Sequence, residues 1–202
     1  MAKHIAVAAL DAQLQHVIDN TETIGLVRAY APGDSYAAVS ANLLGSYPAD
    51  VGDLTLGDQV NGRQIAVIEQ SGSNATASTV DAETGTATSG GAATLTDTVK
   101  AWGVDAQKGR RVTITAGTGV GQARLIMSNT VTQLTVDADW TTPPDNTSEY
   151  QIKDALHCVL LDDTGSAVKV VTEESAANPL AGVTINNPLT IGAFNIKSNQ
   201  PV

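Results

Sequence analysis

Large aromatic side chains are scarce in this sequence, which has two tryptophans, four tyrosines and one phenylalanine among its 202 residues. A hydrophobic core with so few rings must be assembled from Val, Ile, Leu, Ala and Thr methyl groups, and these residues favour β-sheets. The composition therefore predicts a mainly β protein with a thin core. Because a thin core is often stabilised by neighbouring subunits, we also expect a homo-oligomer.

Cysteine is represented only by Cys158, which excludes an internal disulfide and a zinc site built from cysteines. The apolar run at residues 155–161 predicts that this thiol is a small buried hydrophobic group. No hydrophobic run has the length needed to span a bilayer, and Asp11 interrupts the apolar stretch near the N-terminus. We therefore expect a soluble protein that is made in a cytoplasm and does not enter a membrane.

Basic residues are outnumbered, since 11 Lys and Arg stand against 21 Asp and Glu and give a formal net charge of -10. Nucleic-acid phosphates and anionic lipid surfaces both repel such a balance, so neither is an expected partner. One basic cluster exists, formed by Lys108, Arg110 and Arg111. It adjoins a predicted strand and is interpreted as an ordinary solvated edge.

Hydrophobic periodicity predicts one clear helix at residues 5–20, where Leu10, Leu14 and Val17 recur at helical spacing. Residues 36–44 are predicted as a second, short helix. Short apolar runs bounded by Gly, Pro, Asn or Asp predict β-strands. These strands are 25–30, 54–56, 63–69, 74–80, 93–96, 111–115, 123–127, 133–136, 156–161, 167–171, 183–185 and 189–196.

Residues 82–91 are small, polar and rich in glycine, which is typical of a linker. The short strands that follow, up to Lys153, have the spacing of a small all-β module. We therefore predict a β-sandwich or barrel-like domain with an N-terminal helix, formed by residues 1–81 plus 154–202, here called the scaffold. It is interrupted by a small all-β domain, residues 82–153, here called the insert.

Three aromatic residues of the insert, Trp102, Trp140 and Tyr150, are predicted to anchor its core. The glycine-rich run 117–122 lacks the third glycine of a dinucleotide fingerprint and the Lys of a phosphate loop, so it predicts a β-turn. His157 and Cys158 are neighbours on a predicted strand and must point to opposite faces.

Residues 162–165 lack the alternating oxygen ligands of a calcium loop and predict a hairpin tip. Together with the preceding candidates, they leave no group of residues with the geometry of a reactive site. The sequence thus predicts no catalytic residue, no cofactor, no metal site and no enzyme activity.

Several segments of the scaffold follow a recurrent order. They are the helix ALDAQLQHVI, the strand GLVRAYAPGDSY, Leu56–Asp58 with Gly62–Ile65, the run NATASTVD, the hairpin ALHCVLLDDTGSAVKVVTEES, and a closing strand with Phe194, Ile196 and Pro201. This order resembles a family of small virion proteins of tailed bacteriophages. Members without an insertion run directly from the NATASTVD-like strand into the hairpin, so the resemblance implies that the insert was placed between them.

The insert contains a second ordered pattern. Its parts are Gly117, Gly119, Gly121, Gln122, Arg124, Asn129–Thr130, Leu134–Val136, Trp140, Pro144–Asp145, Thr147–Ser148 and Tyr150. The pattern resembles a module that recurs in phage structural proteins and fibres. Neither resemblance implies a catalytic motif.

The resemblance implies a structural component of a tailed-phage virion, and the expected role is a capsid decoration, or cement, protein on the outer head surface. Its partners would be the major capsid protein and copies of itself. The outer position is expected because an acidic protein sits more easily outside a DNA-filled shell than against the genome. The alternative is a tail or head-fibre module that recognises a host surface glycan. In that case Trp102, Trp140 or Tyr150 would be exposed as a stacking platform.

Overall fold

The computed structural model of the protein describes residues 5–173 and 183–199. It is 44% strand and 10% helical, with several antiparallel sheets, which confirms the predicted mainly β fold with an N-terminal helix. The elements, in chain order, are α1 Val7–Asp19, β1 Thr23–Val27, α2 Tyr36–Ala41, β2 Leu43–Pro48, β3 Leu54–Gln59, β4 Gly62–Val67, β5 Gln70–Asn74, β6 Glu83–Thr86, β7 Ser89–Gly91, β8 Thr94–Thr96, β9 Arg111–Ala116, β10 Ala123–Asn129, β11 Gln133–Val136, β12 Glu149–Lys153, β13 His157–Asp162, β14 Ala167–Glu173, β15 Pro188–Ile191 and β16 Phe194–Asn199.

The two helices form where short-range signals are clear. In α1 the buried residues Leu10 and Leu14 are four apart, and this face packs on β3 and β4. In α2 the Ser35 side chain accepts a hydrogen bond from the Ala38 backbone nitrogen at 3.3 Å, which caps the first turn. The second helix is shorter than predicted because the chain from Leu43 pairs with β1 as strand β2.

Three sheets are built from scaffold strands, in the orders β14-β13-β1-β2, β16-β4-β3 and β15-β5. They share a core that contains buried residues on both sides of the insert in sequence, such as Leu26 and Ile65 before it and Leu160 and Leu189 after it. The two scaffold segments therefore complete one another, because neither buries these side chains alone.

The fourth sheet has seven strands in the order β6-β12-β9-β10-β11-β8-β7, all of them from the insert. Its two edge strands, β6 and β7, are joined by only Ala87 and Thr88, so the sheet must curl around its own core. That core contains Ala87, Leu95, Trp102, Val112, Ile114, Ile126, Leu134, Val136, Trp140, Tyr150 and Ile152. None of the four sheets closes into a barrel within the described residues.

The linker predicted at residues 82–91 is wrong, since these residues form strands β6 and β7. The reason is close packing: a Cβ on Gly85 would lie 2.5 Å from the Tyr150 hydroxyl oxygen, and one on Gly90 would lie 2.6 Å from the Pro144 carbonyl oxygen. Glycine is required here so that a backbone can approach a ring and a loop. The small residues thus reflect packing and not flexibility.

Two further strand predictions, at 74–80 and 183–185, are also wrong. Only Asn74 of these residues belongs to a strand, β5. These segments make isolated hydrogen bonds, such as Thr79 N to the Val183 carbonyl oxygen at 2.9 Å and Ile185 N to Ser78 Oγ at 2.9 Å. The strand predicted at 189–196 is divided into β15 and β16. Residues 174–175 of the predicted hairpin segment and the closing Pro201 lie outside the described residues.

Candidate functional site

The three aromatic residues of the insert are all buried, with exposed fractions of 6% for Trp102, 4% for Trp140 and 1% for Tyr150. The Trp102 indole nitrogen donates to Glu83 Oε1 at 2.7 Å, and the Arg124 guanidinium lies 5.4 Å from the centre of the Trp140 ring. The predicted role as core anchors is confirmed. A glycan-stacking role requires an exposed ring face, whereas all three rings are buried within the core of the insert.

Tyr150 is bonded to a buried acid. Its hydroxyl donates to Asp97 Oδ2 at 2.7 Å, and Asp97 is only 2% exposed. Burial, followed by this hydrogen bond, raises the pKa of Tyr150 far above its ordinary value. The ring therefore acts as a neutral donor that satisfies a buried carboxylate in the centre of the insert.

The chain enters and leaves the insert through one polar junction. Asp154 accepts a hydrogen bond from Val80 N at 2.7 Å through Oδ2 and pairs with Arg110 Nε at 2.9 Å through Oδ1. The other guanidinium nitrogens of Arg110 donate to Gln107 Oε1 at 2.6 Å and to the Asp81 carbonyl oxygen at 3.2 Å. Arg110 thereby joins the segment that enters the insert, the segment that leaves it, and a loop between them.

A second contact between insert and scaffold lies beside Arg110. Gly109 has φ +79°, and a Cβ there would lie 2.6 Å from Tyr30 N, so the two backbones touch. Lys108 Nζ pairs with Asp34 Oδ1 at 2.5 Å, and this hydrogen bond raises the pKa of Lys108. The interpretation of the basic cluster as a solvated edge is therefore only partly correct, because Arg110 is 6% exposed and is buried between the insert and the scaffold.

The junction encloses a cleft of about 340 Å³. Its charged lining consists of Asp81, Glu83, Asp105, Asp154, Arg28, Lys108 and Arg110. Arg110 and Asp154 form an ion pair within this lining, whereas Lys108 pairs with Asp34 and Glu83 with Lys100, both outside it. The ion pair in this cleft joins the insert to the scaffold.

Two loops are joined at the end of the insert far from the junction. Thr118 Oγ1 donates to Asp145 Oδ2 at 2.9 Å, and Ser148 Oγ donates to the Thr118 carbonyl oxygen at 2.7 Å. Hydrogen bonds from Thr147 lower the pKa of Asp145. Gly117 has φ +75° and is followed, after the turn, by strand β10, which confirms that the glycine run is a β-turn.

The remaining candidates occupy structural positions. His157 makes an edge-on ring contact with Tyr30, whereas Cys158, which is half-buried and not fully buried as predicted, packs against the main scaffold core, so the neighbours do face opposite ways. Asp162 accepts a hydrogen bond from Gly165 N at 2.6 Å and pairs with Lys169, which confirms a hairpin tip. Within residues 5–173 and 183–199 no group of three or more His, Cys, Asp or Glu could hold a metal ion. No helix in the described part of the chain is long and apolar enough to cross a membrane.

The Arg110 junction is the feature that the sequence did not predict. Arg110 and Asp154 are far apart in sequence, and no local pattern marks them as partners. One feature of the sequence could have indicated the pair: Asp154 directly follows the predicted end of the insert.

Neither a protein-family model, nor a curated protein, nor a solved structure matches the chain.

Proposed function

We propose that this protein is a structural component of a tailed-phage virion, and that it is a capsid decoration protein on the outer head surface. The observation that carries the proposal is the arrangement of its two parts. The insert contributes every strand of the seven-stranded sheet, while the scaffold strands on either side of it share a separate core. Such a protein suits attachment through one part and display of the other.

The direction of the insert follows from its strand register. Lys153 pairs with Arg111 at the junction end of β12 and β9, and Glu149 pairs with Ala116 at the other end. The turn that begins at Gly117 therefore lies roughly 15–20 Å beyond the junction, from the rise per residue of a strand. We propose that this end points away from the shell and that the scaffold contacts the major capsid protein.

The charge and the chemistry support the same role. A net charge of -10 disfavours contact with the packaged genome and suits the outer surface. We propose a non-catalytic function, because Arg110, a buried charged group of the junction, is held by Asp154 and Gln107 as a contact between the two parts of the chain. The glycan-binding alternative is not proposed, because the rings that it requires are buried.

Locating the protein in purified particles tests the proposal. Antibodies against the recombinant chain, used for gold labelling of virions from the genome that encodes it, should label the head surface of intact particles. Labelling confined to tails, or absence of the chain from purified virions, would refute a decoration role. An unrelated antibody of the same class and particles from an unrelated phage serve as controls.

A further inference from the structure

We infer that Arg110 locks the insert at a fixed angle on the scaffold, so that the two parts move as one rigid body. The chain passes between the scaffold and the insert at two places, residues 81–82 and 153–154, here called the crossings. Two adjacent crossings would by themselves form a hinge, because the insert could rotate about the line that joins them. The covalent links differ in length: residues 75–82 contain no helix or strand, and only Asp154–Leu156 separate β12 from β13. A fixed angle therefore requires non-covalent contacts between the insert and the scaffold.

Arg110 has the geometry of such a lock. Its guanidinium donates to Asp154 on the outgoing segment, to the Asp81 backbone on the incoming segment and to Gln107 in the adjoining loop. Both charged side chains are nearly covered, at 8% exposed for Arg110 and 5% for Asp154. Opening the pair would leave two buried charges without their partners, which is strongly unfavourable.

The loop that carries Arg110 is itself fixed to the insert. Asn129, only 3% exposed, accepts a hydrogen bond from Gln107 N at 2.8 Å and donates to the Gly103 carbonyl oxygen at 2.7 Å. Gln107 Nε2 also donates to Glu83 Oε2 at 3.1 Å. Any force on Arg110 is thus transmitted to the body of the seven-stranded sheet and not absorbed by a mobile loop.

A contact away from the two crossings completes the argument. Gly109 lies against the Tyr30 backbone, and Lys108 pairs with Asp34, so the loop touches the scaffold at a second place. Rotation about the crossings would break this contact. The Lys108–Asp34 pair is more exposed than the Arg110–Asp154 pair, so it is a weaker restraint when Arg110 is removed.

The lock bears on the proposed function in one respect, which rests on that proposal: every copy on a shell would display its insert at the same angle. The lock itself is a property of the isolated chain. A test on the purified protein therefore distinguishes failure of the lock from failure of the virion assignment.

Distance measurements between two spin labels test the lock directly. Labels are placed at Thr55→Cys in β3 of the scaffold and Thr135→Cys in β11 of the insert, in a Cys158→Ser background. Both threonines are exposed on strands. We expect one narrow distance distribution in the otherwise unchanged protein, and a broader, shifted distribution in Arg110→Gln.

The matched control is Arg28→Gln. Arg28 lines the same cleft, and its side chain donates to Asn42 Oδ1 at 3.3 Å within the scaffold. The substitution therefore also removes one positive charge from the cleft, but it leaves the hydrogen bonds at the crossings in place. Its distribution should stay narrow. A broad distribution in the unchanged protein, an unaltered one in Arg110→Gln, or equal broadening in Arg28→Gln would each overturn the inference.

Tryptophan fluorescence shows whether the insert of each variant is folded, because both tryptophans are buried in its core. If Arg110→Gln does not fold, Asp154→Asn gives the same test. Asparagine retains an oxygen that can accept from Val80 N, but it loses the charge and places an amide N–H donor where Asp154 Oδ1 accepts from Arg110 Nε. Broadening in this variant supports the lock, and an unchanged narrow distribution contradicts it.

Discussion

Replacement of Tyr150 by phenylalanine should destabilise the insert through one hydrogen bond. The Tyr150 hydroxyl lies 2.7 Å from Asp97 Oδ2, and both residues are buried, with exposed fractions of 1% and 2%. In the variant, Asp97 keeps the hydrogen bond from Val99 N at 3.1 Å but loses the one to Oδ2. Because water cannot readily reach this oxygen, the buried carboxylate becomes under-solvated.

The magnitude follows from the character of that bond. A hydrogen bond to a charged group contributes about 1.5–3 kcal/mol to the free energy of unfolding, and the burial of both partners places this one in the upper half of that range. For a unit of 60–100 residues, 1 kcal/mol corresponds to roughly 4–8 °C in Tm. We therefore expect Tyr150→Phe to lower the Tm of the insert by about 9–24 °C.

Thermal unfolding followed by tryptophan fluorescence is the appropriate assay, since both tryptophans of the chain lie in the insert core. Tyr36→Phe is the matched control: Tyr36 also donates to a carboxylate, Asp163 Oδ1 at 2.7 Å, but at an exposed position in the scaffold. It should leave the fluorescence transition almost unchanged. A decrease below about 3 °C for Tyr150→Phe, or an equal decrease for both variants, would refute the reasoning.

Three further predictions concern the insert and its attachment. Gly117→Ala should destabilise the insert more than Gly121→Ala in the same melting assay: both have positive φ, which costs roughly 1–3 kcal/mol for alanine, but only at Gly117 would the new Cβ lie 1.9 Å from a backbone oxygen, that of Thr147. Burial opposes ionisation of Glu83, but hydrogen bonds from Trp102 and Lys100 outweigh it and lower the pKa of Glu83. The ionised Glu83 therefore stabilises the insert at a pH above 4.5, the ordinary pKa, and this stabilisation is lost as the pH falls below that value. Glu83→Gln should therefore reduce the fall in insert Tm on acidification, and an unchanged fall would contradict this. Replacement of residues 82–153 by a short Gly-Ser linker should leave the scaffold folded by circular dichroism and, if the decoration role is correct, still bound to capsids in co-sedimentation; loss of binding by a folded scaffold would contradict the proposed division of roles.

The parts of the fold that the sequence predicts well are those in which local pattern and packing agree. Helix α1 begins and ends close to its predicted limits because Leu10 and Leu14 form the one face that packs on the sheet. Strands β9 and β11 are found as predicted because their buried residues, such as Val112 and Leu134, alternate with more exposed ones. In these segments side-chain periodicity alone carries the information.

The failures have a common physical cause, which is that the partner is distant in sequence. Gly85 and Gly90 indicate a flexible linker until the ring of Tyr150 and the loop at Pro144 are placed against them. Arg110 is similar, since its burial depends on Asp154, which only the strand order brings close. Composition reports what a segment can do in isolation and does not identify the surface that will cover it.

The two ends of the insert lie close together on the scaffold. Val80 N and Asp154 Oδ2 are 2.7 Å apart, so the chain leaves the scaffold and returns to it at nearly the same place. Strand β13, which begins at His157 soon after the return, pairs with β1 of the first scaffold segment. The loop that closes through the insert is long, but the entropic cost of loop closure grows only slowly with length, and the insert has its own core. The scaffold therefore depends on the two crossings remaining together, and the Asp154 carboxylate, bonded to Val80 N and to Arg110, is the group that holds them.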